Sequence, residues 1–262
     1  MSPFRWEVLG GVSPRQLAEA RLLLHHAVQL VAAVGRALVP PAPDDGHTSL
    51  EWLPSAGCLA GRPVPGPQPW RAALRLDEPA LVILSDGTTE AHVALAGLTR
   101  LEAFSWLLHV AEDLGAATER LQLDAPYEVP EHAVGSGVPF PGAGRPALAE
   151  VARWVANADA LLRETAGAWP GAAPVRVWPH HFDIGSVLPL TAGRGEHDPS
   201  IGIGLSPGDD AVAEPYLYVT PWPPPGPGPL PELPAGGRWN RERWTGALLT
   251  GSEIVSAGGG EA

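Results

Sequence analysis

Lysine is absent from this sequence, and all 17 basic side chains are arginine. Without an amine there is no phosphate-loop lysine, no Schiff-base chemistry and no anchor for pyridoxal phosphate. Cysteine occurs once, at Cys58, which excludes an internal disulfide and a cysteine-based zinc cluster. A reducing, cytoplasmic setting is the expectation. Uninterrupted apolar runs are short, and none approaches the roughly 20 residues that cross a bilayer. The opening stretch, Met1-Ser2-Pro3-Phe4-Arg5-Trp6-Glu7, lacks a charged segment followed by an apolar one, so no secretory signal is expected. Positive charge is scarce too. A net charge of −12 argues against nucleic acid and anionic membranes as partners, since both need a basic face.

What is present suits a folded protein. At 262 residues and 45% hydrophobic composition the chain can bury a sizeable core. Mean hydropathy lies near zero, the value of a soluble globular chain. Arginine in place of lysine, with 31 glycines and 31 prolines, fits a GC-rich coding sequence.

Residues 13–38 read as a long helix, with Ser13 as N-cap, Pro14 at the first helical position and Pro40-Pro41 as the stop. It is apolar nearly all round from Leu22 to Val34, which predicts burial on more than one side. His25 and Gln29 fall one turn apart inside that stretch, so they form a candidate polar core that must find specific partners. A short strand is predicted over 47–53, then strands at 70–76, 81–84 and 91–95, with Asp86-Gly87 as a hairpin turn. A helix over 98–114 closes this meander of about four strands, with Thr99 and Glu102 as a capping box and Gly115 as its end.

Residues 124–145 read as a connecting loop and 146–166 as a third helix. Strands are predicted at 200–205, 214–220 and around 246–249, with a proline-rich drape over 221–234. The predicted fold class is α+β: two similar halves, each a long helix plus an antiparallel meander of about four strands. The halves are 1–123 and 146–257, joined by the 124–145 loop and followed by a loose tail at 258–262. An internal echo supports the division. His47-Thr48-Ser49-Leu50 lines up with His181-Phe182-Asp183-Ile184, and Glu78-Pro79 with Glu214-Pro215. Ala94-Leu95-Ala96-Gly97 lines up with Leu248-Leu249-Thr250-Gly251. Duplication would make the halves pseudo-twofold mates, with His47 and His181 each entering the first strand of its half.

Residues 178–183, Trp-Pro-His-His-Phe-Asp, place two imidazoles and a carboxylate within four positions. On a strand from 178 to 184, His181 and Asp183 share one face. His180 then joins Phe182 on the opposite side, as the buried member. With His47 added, the metal set is His47, His180, His181 and Asp183, which suits zinc, manganese or iron with open positions. Asp183 or Glu214 would be the catalytic carboxylate that activates water. The other reading of the same residues is a buried His–Asp hydrogen-bond network. No Gly-x-Ser-x-Gly elbow supplies a serine nucleophile, and Gly202-Ile203-Gly204 is not a dinucleotide fingerprint. Glu196, His197, Asp198, Asp209 and Asp210 read as solvated loop groups, and Trp52, Trp154 and Trp178 as core.

Several of these residues together resemble a bacterial family described only as a domain of unknown function. They are His25 with Gln29, His47 leading a strand, Phe182-Asp183, the Pro207-Gly208 turn and the Glu214-Pro215-Tyr216-Leu217-Tyr218 strand. The resemblance spans about residues 21–255 and implies a fold, not an activity. Where this chain has His180-His181, typical members have small residues. Two functions stay open. One is a metal-dependent small-molecule enzyme with hydrolase-like water activation between the halves. The other is a non-catalytic ligand-binding or protein-interaction module with a Trp/Tyr-lined groove.

Overall fold

The computed structural model describes residues 6–142, 145–191, 198–233 and 236–258. It is an α+β protein with two antiparallel sheets, one of five strands and one of six. The chain forms two compact units. The first is built from Glu19–Ala152 with Val177–Phe182. The second comprises Met1–Ala18, Arg153–Arg176 and Asp183–Ala262.

Helix α1, Pro14–Leu38, begins where the Gln16 side chain reaches back to accept from the Ser13 N–H at 3.0 Å. From Leu23 to Val34 its apolar residues are almost wholly shielded from solvent. The helix is long and apolar enough to pass for a membrane span by length and composition, although 83% of that apolar window is buried inside the protein. Scattered polar residues hide this window from a search for unbroken apolar runs. Gly35 is required where α1 meets the following loop: a Cβ there would lie 2.7 Å from the His47 carbonyl oxygen.

The first unit's sheet is a plain meander of β1 (Glu51–Leu53), β2 (Cys58–Ala60), β3 (Trp70–Arg75), β4 (Ala80–Ser85) and β5 (Thr88–Ala94). Asp86 and Gly87, both at positive φ, form the two-residue turn between β4 and β5, the backbone that matches the twist of paired strands. Strand β4 is buried along most of its length while β5 is largely exposed. Helix α2, Arg100–Asp113, carries the Thr99–Glu102 capping box and buries Ala103, Phe104, Leu107 and Ala111 along one stripe. The proline-rich stretch after it is irregular but anchored. Phe140 donates to the Leu98 carbonyl and accepts from the Gly97 N–H, and Val134 and Phe140 are both buried.

Helix α3 spans Pro146–Gly167. The second sheet contains β6 (Arg176–Trp178), β7 (Asp183–Pro189), β8 (Ser200–Ser206), β9 (Tyr216–Trp222), β10 (Arg238–Asn240) and β11 (Gly246–Thr250). Its order is β10-β11-β9-β8-β7-β6. Helix α4, Gly251–Ser256, follows with its own capping box, Thr250–Glu253. In the second unit Tyr218 explains Gly185 of β7 and Gly204 of β8. Its phenol lies where a Gly204 side chain would be, and within 2.8 Å of where a Gly185 Cβ would sit.

Each long helix is thus followed by meander strands and then a helix with a capping box, and a Glu-Pro pair stands before the fourth strand both times. Several features depart from the sequence expectation. Strands β2 and β10 are too short to show a period. His47 lies in a turn ahead of β1 rather than on it. His181 precedes β7, the second strand of its set, so the two histidines do not hold equivalent places.

Candidate functional site

The expected strand over 178–184 is interrupted. Residues 179–182 form a tight turn closed by the Phe182 N–H donating to the Trp178 carbonyl at 2.7 Å. Phe182 itself sits at φ +56. A turn abolishes strand alternation, so His180 is exposed rather than buried, and His181 is exposed beside it. Their ring centroids are 4.4 Å apart. Pro179 and Phe182 are the buried members.

Helix α1 holds this turn from below. The Pro179 carbonyl accepts from His25 Nε2 at 2.9 Å and from Gln29 Nε2 at 2.7 Å. Gln29 also donates to the His25 carbonyl at 3.2 Å, and its own Oε1 accepts from the Tyr127 hydroxyl at 2.8 Å. Because a carbonyl can only accept, His25 must carry its proton on Nε2. Burial, above all, lowers its pKa to about 4, against the opposing pull of the Pro179 hydrogen bond. The neutral ring stacks on Phe182 with centroids 5.6 Å apart. Histidine and glutamine one turn apart, spaced for a single acceptor, are the reason this turn can exist.

The other expected site residues are engaged elsewhere. His47 Nδ1 accepts from the Ala42 N–H at 3.2 Å and closes its own loop. Asp183 Oδ2 accepts from the Tyr218 hydroxyl at 2.6 Å, and burial together with the Asp183 charge holds that phenol well above its ordinary pKa. Glu214 accepts from the Ser252 N–H at 2.6 Å and from its hydroxyl, at the start of α4. Among the described residues no group of three or more His, Cys, Asp or Glu side chains could hold a metal ion. The expected set His47, His180, His181 and Asp183 is therefore not assembled, and Asp183 and Glu214 serve a tyrosine and a helix start. Of the loop groups, Glu196 and His197 lie outside the described residues. Trp52 and Trp154 are core as expected, whereas Trp178 is only half-buried.

A cavity of about 760 Å³ opens in the first unit, lined by His26, Arg100, Asp124, Tyr127, Glu131 and His132 among others. His26 follows His25 directly, and one residue of helix turns it about 100° away from the Pro179 anchor. Its Nε2 donates to the Pro130 carbonyl at 2.9 Å, whereas Nδ1 is buried with no hydrogen-bond partner. Burial depresses its pKa, and the charges of Arg100 and His132 add to that. The His132 ring lies 5.9 Å away, its Nδ1 accepting from the Val134 N–H and its Nε2 3.1 Å from a Glu19 carboxylate oxygen. Gly135 leaves room for the His26 ring, since a Cβ there would stand 2.5 Å from Cε1.

Arg100, the first residue of α2, brings a half-buried guanidinium whose Nε also has no partner. Burial lowers its pKa while the Asp124 carboxylate pulls the other way. Tyr127 joins the two features. Its hydroxyl serves Gln29, its ring meets His180 edge-on at 5.9 Å, and it lines the cavity.

Sequence reasoning missed His26, Arg100, Tyr127 and His132. The usable signal was the His25-His26 doublet inside a buried helix: with His25 and Gln29 on one face, His26 must face another partner. Comparison with known protein families, curated proteins and solved structures gave no match.

Proposed function

We propose that the first unit binds a small molecule in the cavity lined by His26, Arg100, Tyr127 and His132. One observation carries this reading: an open cavity is walled by ionisable and aromatic side chains gathered from three places in the chain, His26 of α1, Arg100 of α2, and Tyr127 and His132 of the stretch between α2 and α3. The volume of about 760 Å³ falls in the range of small-molecule sites, roughly 300–1,000 Å³. Arg36 supports the wall by donating to the Gln122 and Asp124 carbonyls.

A metal-dependent hydrolase built on His47, His181, Asp183 and Glu214 is the weaker reading, because His47 Nδ1 and the Glu214 carboxylate already accept backbone N–H groups. The test is a thermal-shift screen of a chemically broad fragment library, repeated on Ser136→Trp, which fills the cavity from an exposed position. Fragments that stabilise the native protein and not the variant support the site. Fragments that stabilise both equally, or none at all, sink it.

A further inference from the structure

We infer that the first unit has a second binding site, apart from the cavity above, for a small monocarboxylate with an aromatic or branched apolar tail. A separate cavity of about 220 Å³ lies where the turn between β3 and β4 meets the end of β5. Its floor is apolar: Leu23 of α1, Phe140 and Leu148 are all buried. Ala80, Ala94 and Ala96 keep it open, since larger side chains at these positions would close it. The polar side chains on its wall are Arg75, Glu78 and His92. Antiparallel pairing sets Arg75, Ala80 and Ala94 in one cross-strand row, with His92 two residues along on the same face.

Arg75 decides the charge of the ligand. Arg71, four residues earlier on the same face of β3, is committed: it pairs with Glu51 at 3.0 Å and donates to the Gly61 and Ala60 carbonyls. Arg75 is half-buried as Arg71 is, yet among the described residues it has no hydrogen bond or ion pair. Its charge reaches the thiol of Cys58, its cross-strand neighbour on β2, which is no carboxylate. A guanidinium offers five donors in a fork that suits a carboxylate, and it accepts nothing. Glu78 is exposed on the turn, where water and salt screen its repulsion of an anion more than they screen the half-buried Arg75. His92, also exposed, can add a ring N–H. An ammonium would have to sit against the guanidinium, and a bare inorganic anion would leave the apolar floor unused. An apolar cavity of about 150 Å³ can hold benzene, so one of about 220 Å³ has room for a ring or a branched chain below the carboxylate.

Ligand-observed NMR and calorimetry on the full chain test the inference with benzoate, 3-methylbutanoate, benzamide, benzylamine and acetate. Benzoate or 3-methylbutanoate should bind. Benzamide keeps the ring and loses the charge, and should bind roughly tenfold or more weakly than benzoate. Acetate keeps the charge and loses the tail, and should be weaker by a similar factor. Arg75→Gln should bring benzoate down to the level of benzamide. Ala94→Phe, which fills the cavity from an exposed position, should abolish binding, with Ala96→Phe as a second such variant. Ser136→Trp, at the other cavity, should leave benzoate binding unchanged. Each variant's thermal unfolding shows whether it has kept its fold. If benzamide or benzylamine binds as well as benzoate, or Arg75→Gln binds benzoate as the native protein does, the carboxylate is wrong. Benzoate binding that survives both filling variants, or that is lost in Ser136→Trp, places the ligand elsewhere and overturns the site. If no apolar carboxylate binds at millimolar concentration the site falls too, and the reading of the larger cavity stands on its own fragment screen.

Discussion

His25 and Pro179 stand 154 positions apart, and the imidazole Nε2 of one donates to the carbonyl of the other at 2.9 Å. That bond, with the parallel one from Gln29, fixes the turn that carries His180 and His181 to the surface. Gln29 is the better place to break the arrangement, because it serves three partners at once. Gln29→Ala should take the acceptor from the Tyr127 hydroxyl, which keeps only Arg36, remove one donor from Pro179 and leave a hole in the core. The expected cost is about 2–4 kcal/mol. Urea unfolding should show the midpoint falling with little change in slope.

Acid should unfold the protein through His25. Its folded pKa of about 4 lies below the ordinary value of 6.5, and His26 is depressed in the same direction. The folded state therefore excludes protons that the unfolded chain takes up below pH 6.5. Stability is fully present above that value and declines as pH falls towards about 4, with roughly 3 kcal/mol at stake for His25 alone. Unfolding free energies measured between pH 7.5 and 4.5 at constant ionic strength check this. A flat profile would mean that His25 is not shielded as described.

Tyr218 and Gly204 should behave as one packing unit. Gly204→Ala sets a methyl group against the Tyr218 phenol, which cannot retreat without losing the Asp183 hydrogen bond. The expected loss is about 1–3 kcal/mol. In a Tyr218→Ser background the same substitution should still cost something, because the Ile184 carbonyl oxygen lies 2.6 Å from the added methyl, and the double-mutant cycle measures the share that belongs to Tyr218.

Much of the fold was legible for reasons these residues make plain. The Thr99–Glu102 capping box, the Asp86-Gly87 turn and the long period of α1 are local signals, complete within a few positions. The 178–183 stretch was not, because its conformation is set by His25 and Gln29 from a distant helix. Pro179 and a Phe182 at positive φ break an alternation that composition alone invites. Of the site, the sequence showed the His25–Gln29 anchor. It hid the cavity, whose wall joins one helical histidine, the first residue of α2 and an irregular loop with no period of its own.

Cys58 offers a check on the first unit's core. Burial raises its thiol pKa to about 11, so at pH 8 it should react with a disulfide reagent only slowly while folded. In denaturant the reaction should be fast and stoichiometric. Rapid labelling of the native protein would contradict the packing of Cys58 among Ala60, Ala73, Val82 and Leu84.

Two adjacent histidines divide the work: the His26 ring lines the proposed binding cavity, whereas His25 holds the Pro179 turn. Imidazole nitrogen chemical shifts, in protein labelled at histidine, test this division at the atoms concerned. In the free protein both rings should show a proton on Nε2 and none on Nδ1. On addition of a probe that stabilises the protein, the His26 ring signals should move as the cavity beside them fills, and those of His25 should stay where they were. Binding that shifts only the exposed His180 and His181 signals, or leaves His26 unmoved at saturation, would contradict it.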